Sequence, residues 1–410
     1  MAAKAVRGFG DGFVSLLLPI YLLGLGLSPF QVGLVATATL LGSGILTMLI
    51  GVHGARYDNR PLLLAASALM AFTGLGIASL ETFWPLMLVA LVGTLNPSGG
   101  DVSVFMPVEH AMLASNVEGQ RRTAVFARYS LTGTLSAAFG SLAAALPGLT
   151  ASTWGIAPQT AIKAMFILYA LLALVMATLY RGLPRRPPTR SPEPKSALGI
   201  SRKRVFVLAA LFSLDAFGGG FVVQSLVALW LYQRFGLSIE VAGSIFFWAG
   251  VLTAFSYLLA ARIASHIGLV RTMVYTHLPS SLCLIAIPFC TDLAYVVALL
   301  LFRSALSQMD VPTRSSYVMA IVSPAERAAA ASVTSVPRSL AAAASPALAG
   351  YLLGVSTFGW PLIVGGALKI VYDILLLVMF SRVRPAEEIT PGEVPATPTT
   401  VHAGTQTRLR

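Results

Sequence analysis

The feature that most constrains this chain is a succession of long apolar runs, each ended by a short polar connection. A helix crossing a bilayer needs about 20 mainly apolar residues, because the hydrocarbon core is about 30 Å thick and each residue rises about 1.5 Å. Twelve segments answer that description, at approximately 8–27, 31–53, 61–80, 84–114, 122–146, 159–181, 205–234, 240–264, 271–290, 293–322, 327–352 and 359–382. Membrane barrels use strands of about 10 residues with alternating polarity, a pattern these runs lack. The sequence therefore predicts an all-α integral membrane protein with twelve transmembrane helices.

Composition agrees. Of 410 residues, 56% are hydrophobic and 11% charged, and mean hydropathy is +0.79. A soluble domain carries about 25% charged residues. Too few polar side chains are present to cover a water-facing surface.

The net charge of +12 raises nucleic acid as a partner, but the cations are not arranged for it. They form no basic helix face and no basic run interleaved with aromatics. They fall in alternate connections instead: Arg56 and Arg60, Arg121 and Arg122, Arg262 and Arg271, and Arg327. The stretch 182–204 adds Arg185, Arg186, Arg190, Lys195, Arg202, Lys203 and Arg204, whereas the intervening connections offer chiefly Arg234. By the positive-inside rule this asymmetry places both termini in the cytoplasm of a plasma (inner) membrane protein. The start of the chain has no small-residue cleavage site, so the first run is read as a retained helix. Cys283 and Cys290 share an apolar run at no redox or metal-ligand spacing and read as packing residues.

The Pro- and Arg-rich stretch 182–204 reads as a cytoplasmic linker between six-helix halves at 1–181 and 205–384, and 385–410 as a disordered cytoplasmic tail. The halves repeat. Gly26-Leu27-Ser28 with Gly33 recurs as Gly236-Leu237-Ser238 with Gly243; Gly10 and Gly12-Phe13 recur as Gly218 and Gly220-Phe221; Asp101-Val102 recurs as Asp310-Val311. The nearly constant offset, about 210 residues, implies two parallel halves related by an axis along the membrane normal.

Twelve spans in two parallel halves with a basic central loop resemble the major facilitator superfamily. Members usually carry Gly-x-x-x-Asp-Arg-x-Gly-Arg-Arg between spans two and three. The matching stretch here runs from Gly51 through Ala55, Arg56, Tyr57, Asp58 and Asn59 to Arg60. It keeps the first glycine and two basic positions, with Ala55 in place of the aspartate and Asp58 in place of the second glycine. The second-half counterpart, Ala261 to Gly268, also lacks the aspartate. Pro324-Ala325-Glu326-Arg327, leading to Pro337-Arg338 and Ser345-Pro346-Ala347-Leu348-Ala349-Gly350, resembles the entry to span eleven in bacterial members. Span four reads Asn96-Pro97-Ser98-Gly99-Gly100-Asp101 without the arginine of proton-driven drug exporters, and span five lacks their Gly-Pro pair. The resemblance covers about 1–384. It implies alternating access, a substrate site between the halves, a monomer, and spans one, four, seven and ten around a central cavity.

Ionisable residues at membrane depth cost about 2.5–3.5 kcal/mol each on insertion scales, so those present need partners, water or a function. The four spans that the resemblance assigns to the cavity each hold an aspartate: Asp11, Asp101, Asp215 and Asp310. These are candidates for substrate binding or proton coupling, Asp101 foremost, against the plainer reading as structural ion pairs. Counting rise about the intervening turns puts Glu109 level with Arg128 and Asp310 level with Arg338, which predicts an ion pair within each half. Lys369 and Asp373, four apart, are expected to pair on their own helix. Arg303, Arg314 and Lys163 are cations that an anionic solute would use. Tyr21, Gln224, Trp248, Gln308 and His277 are polar or aromatic candidates for the cavity, though such residues more often serve packing or an interhelical hydrogen bond. Pro19, Pro97, Pro107, Pro312, Pro337 and Pro346 fall in spans, where they kink helices.

Catalytic motifs are lacking: no metalloprotease His pair, phosphate-cradling loop or nucleophile elbow occurs, and neither a metal nor another cofactor is expected. The sequence thus predicts a secondary transporter of a small molecule, with proton-coupled efflux as the leading form. The alternatives are uptake of a polar or anionic solute and, from a different class, a non-transporting membrane sensor or scaffold.

Overall fold

The structure, a computed structural model, describes residues 1–53, 57–97, 103–115, 119–183, 199, 201–323 and 326–381. The first half contains α1 (Ala2–Gly24), α2 (Pro29–His53), α3 (Asn59–Ser79), α4 (Phe83–Val92), α5 (Met106–Ser115), α6 (Gly119–Ala143), α7 (Leu146–Trp154) and α8 (Pro158–Arg181). The second contains α9 (Arg202–Gly220), α10 (Gln224–Phe235), α11 (Ile239–Ile267), α12 (Leu269–Ala286), α13 (Leu293–Leu306), α14 (Asp310–Ala320), α15 (Arg327–Val355) and α16 (Trp360–Phe380). Among the described residues there is no strand.

Ten described stretches are long and apolar enough to cross a membrane, including α9 with α10 and α13 with α14 as single broken spans. Two expected spans are not among those ten. One is α4 with α5, which flank residues outside the description. The other is α15, long enough at 29 residues but richer in Ser, Thr and Arg. Breaks at Phe221–Val223 and Ser307–Met309 expose backbone polar groups, which a bilayer permits only in contact with protein or a wet cavity.

The repeated Gly-Leu-Ser triplets have one physical job. Gly26 and Gly236 adopt positive φ, 82° and 62°, a conformation open to glycine because it has no Cβ. Each serine then caps the following helix. Ser28 Oγ accepts from the Gln31 amide at 3.3 Å while the Gln31 side chain accepts from the Ser28 amide at 2.8 Å, and Ser238 Oγ accepts from the Val241 amide at 3.4 Å. In the loop between α2 and α3, Asp58 accepts from the Arg60 amide at 3.2 Å and caps α3. Gly51 lies in the last turn of α2, and Arg56 falls outside the described residues.

The halves meet most closely at the end of the bundle away from the chain's N-terminus. There Gly33 of α2 packs on the backbone of Pro346, Ala347 and Gly350 of α15, and Thr37 Oγ1 accepts from the Ala347 amide at 3.0 Å. Phe30 and Tyr351 stack edge to face at 6.3 Å. The second seam joins α6 to α11: a Cβ on Gly250 would lie 2.8 Å from Ala138 Cβ, and Phe139 meets Phe247 at 5.4 Å. Toward the other end the α2–α15 seam opens, and Gly44 has only Ser339 Cβ nearby, at 3.7 Å.

Candidate functional site

Between the halves lies a cavity of about 960 Å³. Its lining reaches Lys4, Met48, His110 and Ser332 at one end and stops near Ser141 and Gln224 at the other. The mouth is thus on the face carrying the basic connections, and the floor is the sealed seam. Discontinuous helices meeting beside a central cavity are the arrangement that transporter folds use for solute sites.

Two buried charge clusters flank this cavity. In the first half, Arg7 of α1 donates to Glu109 of α5 at 2.8 Å and to Tyr129 Oη at 3.0 Å. Tyr129 and Tyr180 hydroxyls donate to the same carboxylate at 2.5 and 2.7 Å. The Arg7 guanidinium also lies 4.7 Å over the Phe105 ring. Three donors saturate Glu109, and neither it nor Arg7 lines the cavity. Held by three donors and set off the cavity wall, Glu109 suits a structural role, with Arg7 Nη1 buried and without a hydrogen-bond partner among the described residues.

This corrects the expected partner of Glu109. Arg128 is exposed, and its neighbour Tyr129 turns inward instead. Rise alone gives depth, but each residue also rotates the helix by about 100°, so level residues need not face each other.

The second cluster lines the cavity. Asp215 of α9 accepts from Lys369 Nζ at 2.7 Å and from Arg314 at 3.0 Å. Arg314 also reaches Asp310 at 3.0 Å. His277 of α12 stands between two carboxylates: Nδ1 lies 3.0 Å from Asp373, and Nε2 lies 3.7 Å from Asp215. Nε2 is also 3.4 Å from Lys369 Nζ. The chain of charges thus runs Asp310, Arg314, Asp215, Lys369, His277, Asp373.

Two further expectations are corrected here. Asp310 pairs with Arg314, one turn along its own helix, and not with Arg338; Arg338 lines the same cavity without a carboxylate within 4.0 Å among the described residues. Lys369 and Asp373 do not pair with each other but turn to Asp215 and His277.

The other candidates separate clearly. Asp11, Arg303, Gln224 and Gln308 line the cavity. Asp101 lies outside the described residues. Tyr21 is buried and donates to the Ile77 carbonyl at 3.2 Å, Trp248 is exposed on the outer surface, and Lys163 meets Glu81 at 2.5 Å away from the cavity. Of the prolines, Pro19, Pro337 and Pro346 are inside helices, while Pro107 and Pro312 sit in the first turns of α5 and α14.

Sequence reasoning missed Arg7, Phe105, Tyr129 and Tyr180. The repeat held a signal for three of them. At the offset of about 210 residues, Arg7 corresponds to Asp215, Phe105 to Arg314, and Tyr129 to Arg338. The two halves therefore use equivalent positions with inverted charge on the first helix.

Fold and cavity are those of a polytopic α-helical membrane protein with an internal repeat. The model of the Major Facilitator Superfamily matches residues 1–302 and 209–408, and the chain belongs to that family. An uncharacterized membrane protein of Saccharomyces cerevisiae is 24% identical over 415 residues, covering 92% of each chain. Among solved structures, a bacterial homologue of the human lysosomal transporter Spinster, inward-facing and occupied, superposes with TM-score 0.71 at 15% identity, over 92% of this chain and 93% of that one. The nucleoside transporter NupG gives 0.70 at 14% identity, over 92% and 97%. The human organic anion transporter MFSD10 gives 0.63 at 18% identity, over 92% and 98%. At these identities the structural matches speak to the fold.

Proposed function

We propose that this chain is a secondary active transporter that moves a small organic solute by alternating access through the cavity between its halves. The observation that carries the reading is the cavity itself, walled by both halves, sealed at one face and open at the other. With the basic connections in the cytoplasm, the state described faces inward, and the protein works as a monomer in the plasma (inner) membrane. The halves at 1–181 and 205–384, joined by 182–204, are the moving bodies; 385–410 lies outside the transport machinery.

We assign proton coupling to the second-half cluster and export as the direction. His277 is faced by Asp215 from α9 and by Lys369, Tyr372 and Asp373 from α16, and Arg314 and Asp310 of α14 join the cluster through Asp215. Neutral His277 with its proton on Nδ1, toward Asp373, offers Nε2 as an acceptor to Lys369. A second proton turns Nε2 into a donor toward Asp215 and sets it against Lys369. Proton uptake thus rearranges the partners of a carboxylate on the cavity wall, which supplies a two-state element at the substrate site. Asp11 and Asp101 stay secondary candidates for the same role.

The test is solute-driven proton flux in proteoliposomes, for wild type, His277→Asn and Asp215→Asn. Solute exchange that survives in His277→Asn while proton movement disappears supports the assignment. Unchanged proton coupling in both variants removes it and moves the search to Asp101 and Asp11.

A further inference from the structure

The charges on the cavity wall do not balance. Among the described residues its lining holds five cations, Lys4, Arg303, Arg314, Arg338 and Lys369, against three carboxylates, Asp11, Asp215 and Asp310. Asp215 and Asp310 are taken up by Arg314 and Lys369, while on α1 Lys4 lies over the Tyr129 ring. Arg303 and Arg338 are left over. Neither has a hydrogen bond or ion pair to any described residue, and the Nε of each is buried without a partner. Arg338 feels the like charge of Arg314 and the opposing charges of Asp215 and Asp310. Both arginines are half-buried with Nε covered, and a guanidinium is a fork of five donors that stays charged, so a group that completes such a site is anionic.

The two walls also differ. Arg303 and Arg338 both belong to the second half, Arg303 among Ser280, Ser304 and Gln308. The facing wall from α2, α5 and α6 holds no Lys, Arg, Asp or Glu among the described residues: Leu40, Ile45, Met48, Met106 and Ala137 stand there with His110 and the hydroxyls of Thr47, Ser130, Thr134 and Ser141. Two cations thus face a mainly apolar, hydroxyl-dotted surface, in a volume large enough for a drug-sized molecule.

We propose that the cavity takes an organic anion, its acidic group held by Arg338 with Arg303 as a second cation, and its uncharged body against the α2–α5–α6 wall. This rests on the central cavity being the substrate site, and it narrows the substrate to a class. Lys163 plays no part, since Glu81 engages it elsewhere. The docking fork is carboxylate- or phosphate-shaped, so the probes distinguish the two.

The experiment measures binding to the purified full-length protein in detergent, by calorimetry, of four matched probes: phenylacetate, phenyl phosphate, phenylacetamide and phenethylamine. At least one anion is expected to bind about tenfold or more tighter than the amide, the scale of one charge-assisted hydrogen bond. Arg338→Gln removes that preference, Arg303→Gln reduces it, and Arg338→Lys keeps part of it. Amide affinity falls less than anion affinity in all three, and unchanged thermal unfolding reports that the fold is intact. Where Arg338→Gln does not fold, Arg303→Gln and Arg338→Lys carry the test. The inference is overturned if the amide or amine binds as tightly as the anions, if no anion binds, or if the folded variants keep the full anion preference. Counterflow of the same probes in proteoliposomes tests the transport reading separately. Anion binding without counterflow sinks transport and leaves the anion site standing; counterflow of the amine or amide without anion binding does the reverse.

Discussion

Gly350→Leu should force the sealed face apart. A Cβ at position 350 would lie 2.5 Å from the Pro29 carbonyl oxygen and 2.9 Å from Gly33 Cα. Ordinary contact begins near 3.4 Å, so α2 and α15 must separate by about 0.9 Å for the first atom alone. The obstacles are backbone on a facing helix and cannot rotate away. Overpacking of this kind costs about 1–3 kcal/mol. On the alternating-access mechanism proposed above, these helices part in the other state, so only the state sealed at this face bears that cost. The ratio of the two states should therefore shift by a factor of roughly 5 to 150 toward the one open at this face. Spin labels on Leu27→Cys and Val355→Cys, in a background free of Cys283 and Cys290, report the separation by pulsed electron resonance. The parent should show one short distance; Gly350→Leu should add or favour a longer one, and Gly350→Ala should move the same way by less. A folded Gly350→Leu protein with an unchanged distance distribution would refute the claim that this seam is the moving contact.

The buried clusters give further expectations. Glu109→Gln strands the Arg7 guanidinium and should destabilise the protein by about 3–5 kcal/mol, with part recovered in Arg7→Gln/Glu109→Gln, whereas Arg128→Ala on the exposed side should stay within about 0.5 kcal/mol; thermal unfolding in detergent measures all three. Tyr180→Phe removes one of three donors to Glu109 and should cost about 1 kcal/mol by the same assay. Asp215→Asn weakens two ion pairs at once and should lower stability by about 3–5 kcal/mol; melting unchanged from the parent would mean that Arg314 and Lys369 find other partners. The Gly199 amide, with the Ser201 and Ser323 hydroxyls, holds the Glu326 carboxyl below the ordinary glutamate range. A depressed carboxylate stabilises the fold above its unfolded value and loses that contribution as pH falls through the folded value. Hydrogen exchange at the Gly199 amide, bonded to Glu326 at 2.6 Å, should therefore show protection at neutral pH that disappears in acid, and Glu326→Gln should weaken it at neutral pH and remove that pH dependence.

The sequence by itself determined the medium, the helices and the internal repeat. Hydropathy over about 20 residues is a property of each segment against lipid and needs no knowledge of its neighbours. The Gly-Leu-Ser turns were equally legible, since their φ and capping requirements are local. Asp215 and Asp310, on spans that the resemblance assigns to the cavity, both line it. Partners were not legible. Whether Glu109 meets Arg128 or Arg7, and whether Lys369 meets Asp373 or Asp215, depends on the rotation of each helix about its axis and on which helices pack together. Those are settled by close approaches such as Gly12 of α1 on the backbone of Ala137 in α6, and Gly218 of α9 against Gly365 of α16. An ion pair needs its two groups within about 4 Å, and a rotation of one residue, about 100°, carries a side chain to another face of the helix. Only the packed bundle fixes that angle, so only the tertiary structure decided which charges were spoken for and left Arg303 and Arg338 facing the cavity without a partner among the described residues.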